Sequence, residues 1–102
     1  MKNSWHLLIS EDAYSDIKEA RSYYNSVQKG LGKKFRTDLL DTLKKLRSNP
    51  YLYGYRYEQF RSASLRIFPY QIHYIVNDNA ILVFAVLYSA RKPSYVTSRI
   101  KK

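Results

Sequence analysis

The feature that most constrains this chain is a change of period. From Ala13 to Leu46 apolar residues recur every three or four positions, and beyond Pro50 they tend to recur every second position. The first spacing lines up a stripe on a helix, the second one side of a strand. Ala13, Ile17, Ala20, Tyr24 and Val27 form one stripe; Phe35, Leu39, Leu43 and Leu46 form another, broadened by Leu40. Ser10 can cap the first helix, with Glu11 and Asp12 where carboxylates meet the positive end of its dipole. Gly30 supplies the stop, and Asn49-Pro50 ends the second helix. So short a link makes the pair an antiparallel hairpin.

Strand patterns flank the hairpin. WHLLIS, residues 5–10, puts Trp5, Leu7 and Ile9 on one face, and RSASLRI (61–67), YQIHYIV (70–76) and AILVFAVLY (80–88) follow the helices. Between them, YLYGYRYEQF spaces Tyr51, Tyr53, Tyr55 and Tyr57 so that the rings share a side wherever the backbone is extended, with Gly54 interrupting. Leu65 and Ile67 are odd-numbered, whereas Tyr70, Ile72, Tyr74 and Val76 are even-numbered, so an extra residue or tight turn must intervene at Phe68-Pro69. The expected fold is α+β: an N-terminal strand, an antiparallel helical hairpin, then a mainly antiparallel three-stranded meander, with the helices on one sheet face. The other face is expected to be exposed or concave and to carry the function. Residues 1–102 read as one domain with a basic tail from about residue 89, whose order the sequence leaves open.

Charge and composition narrow the chemistry. Eighteen Lys and Arg against eight Asp and Glu give a net charge of +10. Residues 1–30 are neutral, whereas 31–49 carry +4 and 80–102 carry +5 without any acid. Such fields favour polyanions or an acidic protein partner. No cysteine is present, which excludes disulfides, thiolate metal sites and a cysteine nucleophile. The apolar stretch near the N-terminus is too short for a secretory signal, and no run approaches a membrane span, so a cytoplasmic protein without membrane contact is expected.

Two histidines, His6 and His73, are too few for a transition-metal site, so no metal or other cofactor is expected. There is no Gly-rich phosphate loop and no serine in a nucleophile-elbow pattern. Arginine, lysine and tyrosine on a sheet remain. Metal-free RNA cleavage needs cations for a dianionic phosphorane, which Arg61, Arg66, Arg91 and Lys92 could supply, and proton transfer, for which His73 and Tyr95 are candidates. The same residues suit polyanion binding, and the tyrosines and His73 are equally at home as sheet-covering structural groups.

Three segments in order, EDAYSDIKEARSYY, GLGKKFRTDLLDTLKKLRSNP and LRIFPYQIHYIVNDNAILVFAVLYSARKP, resemble the RelE/ParE superfamily of toxins from type II toxin-antitoxin systems, closer to the ParE branch. The resemblance implies a helical hairpin on an antiparallel sheet and an antitoxin that wraps the toxin with its C-terminal segment. That partner should be acidic, and DNA contact should come only through it. The resemblance also implies that basic residues near the Phe68-Pro69 corner and in the Arg91–Pro93 stretch line the functional face, which designates Arg66 and Arg91 for target binding; Lys92, the cation beside Arg91, is added to them from the residues themselves. Many relatives have a histidine where this chain has Tyr88. ParE-type members poison DNA gyrase, and the ParE-like helix and corner patterns favour that target. RelE-type members cut mRNA on the ribosome; in that alternative Arg61, Arg66, Arg91 and Tyr95 would be catalytic.

Overall fold

The computed structural model describes residues 5–100. Lys101 and Lys102, the end of the basic tail, lie outside the described residues. The elements are β1 (His6–Ile9), α1 (Glu11–Val27), α2 (Leu31–Ser48), a 3-10 turn (Pro50–Leu52), β2 (Tyr55–Tyr57), β3 (Phe60–Ser64), β4 (Tyr70–Asn77), β5 (Ala80–Tyr88) and α3 (Ser94–Ile100). They form one five-stranded sheet in the order β1-β5-β4-β3-β2. β1 runs parallel to β5, and every other pairing is antiparallel.

Local chemistry sets the hairpin. Ser10 accepts a hydrogen bond from the Ala13 N–H at 3.1 Å, capping α1. Gly30 adopts φ +88°, a left-handed conformation that side chains disfavour, and turns the chain directly into α2. Gly32 then lets the helices close: a Cβ there would lie 2.6 Å from the Arg21 carbonyl oxygen. Its N–H donates instead to Asn25 Oδ1 at 2.9 Å.

The core lies between the hairpin and one sheet face. Phe35, Leu39, Leu43 and Leu46 of α2 and Ala13 and Ala20 of α1 bury against Ile72, Tyr74, Ile81, Val83 and Val86. Each large side chain removed from water contributes roughly 1.5–3 kcal/mol. Tyr74 also donates its hydroxyl to the Pro50 carbonyl at 2.7 Å, which pins the end of α2 to the sheet.

The structure departs from the sequence expectations in four places. A short strand, β2, joins the three expected in the meander. The tyrosines at 51, 53, 55 and 57 do not share a side, because Tyr51 lies in the 3-10 turn and a register shift separates Tyr55 from Tyr57. β3 stops at Ser64, so Ile67 is on a loop, exposed. Finally, the far sheet face is not open throughout: residues 94–100 fold into α3, and Val96 buries with Phe60, Ala85 and Leu87 on that side.

Candidate functional site at the corner of the sheet

The Leu65–Pro69 loop resolves the change of register. Leu65 and Phe68, three residues apart, both turn into the core, while Arg66 and Ile67 point outward. The loop is held from within by Asp38 of α2, which is 3% exposed. Its Oδ1 accepts the Arg66 N–H at 3.2 Å, and its Oδ2 accepts those of Ile67 and Phe68 at 2.9 Å each. Successive N–H groups converging on one point make a concavity suited to an anion, here filled by the protein's own carboxylate. Arg66 is thereby presented over a cleft shared with Lys33, Lys34 and Asp41.

The end of β5 is tied to the same corner, because Ser89 N–H donates to the Pro69 carbonyl at 2.9 Å. Arg91 follows on a turn closed by its N–H on the Tyr88 carbonyl, and its guanidinium lies 4.6 Å from the centre of the Tyr95 ring. Arg91 also lines a small cleft with Glu19, Tyr23, Tyr70 and Tyr88. Tyr70 titrates only at about 12, raised first by burial and then by Tyr24. Lys92 is exposed, and its carbonyl accepts the Tyr95 N–H at the start of α3.

Beneath this cleft lies a cluster that the sequence reading missed. β1 pairs with β5 only as far as Val83, and β5 carries a bulge at Phe84, since Tyr74 faces Val83 while His73 faces Ala85. The backbone groups left without a strand partner are met by side chains. Asp16 accepts the Val86 N–H at 3.0 Å, and Arg99 donates to the Phe84 carbonyl at 2.9 Å. Arg99 then clasps Asp16 through two N–H donors at 2.7 and 3.0 Å, anchoring α3. One signal was legible: Asp16 falls between Ala13, Ile17 and Ala20, inside the apolar stripe.

The other two candidates sit elsewhere. Arg61 donates through Nη1 to the Tyr53 carbonyl at 2.8 Å, with its guanidinium 4.1 Å from the Tyr55 ring and 5.1 Å from the Tyr51 ring. It shares its side of the sheet with Tyr74, its partner on β4. His73 is 4% exposed on the opposite face, with Nδ1 3.0 Å from the Tyr57 hydroxyl. Burial, then the charges of Arg56 and Arg99, lower its pKa to about 4. It is therefore a neutral interior group at physiological pH. The structure thus brings Arg91 and Tyr95 together and ties their segment to the Arg66 corner, but Arg61 and His73 are engaged apart.

His73 carries a pH prediction. The unfolded chain protonates this histidine near 6.5, the native state only near 4, so stability is complete above the first value and falls as pH drops between them. Its share of the loss is about 2 kcal/mol between pH ~7.5 and ~5. Unfolding free energies from urea titrations should fall by that much less between these pH values in His73→Gln; an equal fall in both proteins would exclude the buried neutral state.

Residues 7–93 match the family model described as the ParE toxin of the type II toxin-antitoxin system parDE. No curated protein matches the sequence. Among solved structures, the chromosomal ParDE toxin-antitoxin system from P. aeruginosa gives a TM-score of 0.72 at 16% identity, over 80% of this chain and 92% of that one. The intact E. coli RelBE toxin-antitoxin complex gives 0.64 at 20% identity, over 86% and 100%. The isolated E. coli RelE toxin gives 0.64 at 20% identity, over 96% and 97%.

Proposed function

The chain belongs to the family of ParE toxins of type II toxin-antitoxin systems, and from that premise we propose that it arrests bacterial growth by poisoning DNA gyrase. The observation that carries this reading is the chemistry of the corner. Arg66, Arg91 and Lys92 offer cations, and Tyr70, Tyr88 and Tyr95 offer rings, but His73, the histidine of the central strand β4, is buried and neutral. A surface of this kind suits holding a macromolecule better than moving protons. The target-binding residues are Arg66, Arg91 and Lys92.

A second reading draws on one contact. The stacked Arg91 and Tyr95 would flank a scissile phosphate in a ribosome-dependent mRNA endonuclease, with Arg61 and Arg66 as further cations. In either case the partner that silences the protein is an acidic antitoxin, whose carboxylates complement the charge of +10.

Inducing the protein in bacteria while scoring the SOS response and mapping mRNA 5′ ends separates the two. The expected result is SOS induction with intact messages, weakened at least tenfold by Arg66→Ala combined with Arg91→Ala. Cuts within translated codons, lost in Arg91→Ala, would replace the gyrase reading with the ribosomal one.

A further inference from the structure

Away from the corner, three rings and several cations meet beside the 3-10 turn. Trp5 and Tyr51 meet in a T-shaped pair, with centroids 5.7 Å apart, and the Trp5 carbonyl accepts a hydrogen bond from Arg47 Nε at 3.1 Å. The Arg61 guanidinium lies against both Tyr51 and Tyr55. These two tyrosines are nevertheless 56% and 66% exposed, and Leu52 between them is 66% exposed. Large rings left this open are not accounted for by the fold, whose core closes without them. Local charge points to the complement: Arg47 and Arg61 bring two positive charges among these rings.

We infer that this surface binds single-stranded DNA, with successive bases stacking on Tyr51 and Tyr55 and the linking phosphate meeting Arg61. Both tyrosines keep more than half of their surface exposed beside the guanidinium, and stacking on aromatic faces is tolerant of base identity. Arg61 commits one N–H to Tyr53 and keeps other donors, while Arg47, bonded to the Trp5 carbonyl, extends the positive track. An acidic protein would be met by the same cations, but it would not use two flat faces set around a single charge. The carbonyls of Trp5 and Tyr53 already accept hydrogen bonds, and the groups that make the platform are rings and guanidiniums. Its stacking chemistry therefore does not require a 2′-hydroxyl, and RNA has no added hold on it. The surface gives the chain a nucleic-acid contact of its own, beyond the antitoxin-mediated contact expected from its sequence.

The test is anisotropy of a labelled oligothymidylate of about twelve nucleotides added to the purified chain at about 50 mM salt, with emission of Trp5, the sole tryptophan, as the local readout. Expected are saturable binding that weakens steeply with salt, quenching of Trp5, and a loss of roughly 5- to 100-fold in affinity for each of Tyr51→Ala and Tyr55→Ala. Tyr51→Phe and Tyr55→Phe should bind nearly as the parent does. A Lys33→Ala/Lys34→Ala variant should retain the full Trp5 quench at saturation. Circular dichroism confirms that the exposed-site variants are folded. Affinity unchanged from the parent in both alanine variants, or no binding at low salt, would overturn the proposal. So would oligouridylate binding tenfold tighter than its DNA counterpart, or alanine variants that lose only an acidic protein partner.

Discussion

Asp38→Ala is expected to lower the unfolding free energy by about 4 kcal/mol and the thermal midpoint by roughly 20 °C. Hydrogen bonds to a charged acceptor contribute about 1.5–3 kcal/mol each, and three converge on this carboxylate. Deleting it strands the buried Phe68 donor, while water can reach those at exposed Arg66 and Ile67, so the full sum is not lost. Asp38→Asn should cost less, about 1–2 kcal/mol, because its remaining oxygen can serve two N–H groups while its amide repels the third. Thermal and urea melts check the ranking, and amide exchange at residues 66–68 should accelerate first. A loss below about 1 kcal/mol for the alanine variant would mean that the loop holds itself.

Arg99→Ala is expected to cost about 3 kcal/mol, the scale for removing one partner of a buried ion pair. Asp16, whose side chain is 8% exposed, would keep the Val86 N–H but lose the clasp, and the Phe84 carbonyl would lose a charged donor. The double variant Asp16→Ala/Arg99→Ala should lose at least about 1 kcal/mol less than the two single losses together. Amide protection in residues 94–100 should disappear in Arg99→Ala while that of β4 persists. Strict additivity would show that the pair does not hold α3.

Periodicity made the helices, β1, β4, β5 and the capping serine readable, because one face of each meets a single core. The corner was only half readable. The register change required an interruption near Phe68, yet the alternation of Leu65 and Ile67 suggested strand where Asp38 instead gathers the backbone into a loop. Asp16 and Asp38 share a signature: an acid inside an apolar stripe, flanked by Ala13 and Ile17 or by Phe35 and Leu39. Spacing marks such residues as inward, but their partners lie far away in sequence, Arg99 at 83 residues from Asp16 and Phe68 at 30 from Asp38. α3 escaped because seven residues carry too little pattern, and its hold comes from Val96 and Arg99. For the candidate residues, sequence order put Arg61 and Arg91 in one group, whereas the sheet gives Arg61 to Tyr51 and Tyr55 and leaves Arg91 with Tyr95.

The parallel pairing of β1 with β5 joins the first strand to the last: Ser10 bonds the Phe84 carbonyl across 74 residues. A ribosome adding roughly 5–20 residues per second leaves β1 without its neighbour for about 4–15 seconds. The hairpin can form early, since its contacts are local, but its apolar face has no finished sheet to cover it until Ala80–Val83 emerge. Birth of this fold is thus abrupt: the sheet closes only once β5 has been made, and a chain terminated before it lacks the strand on which both halves close.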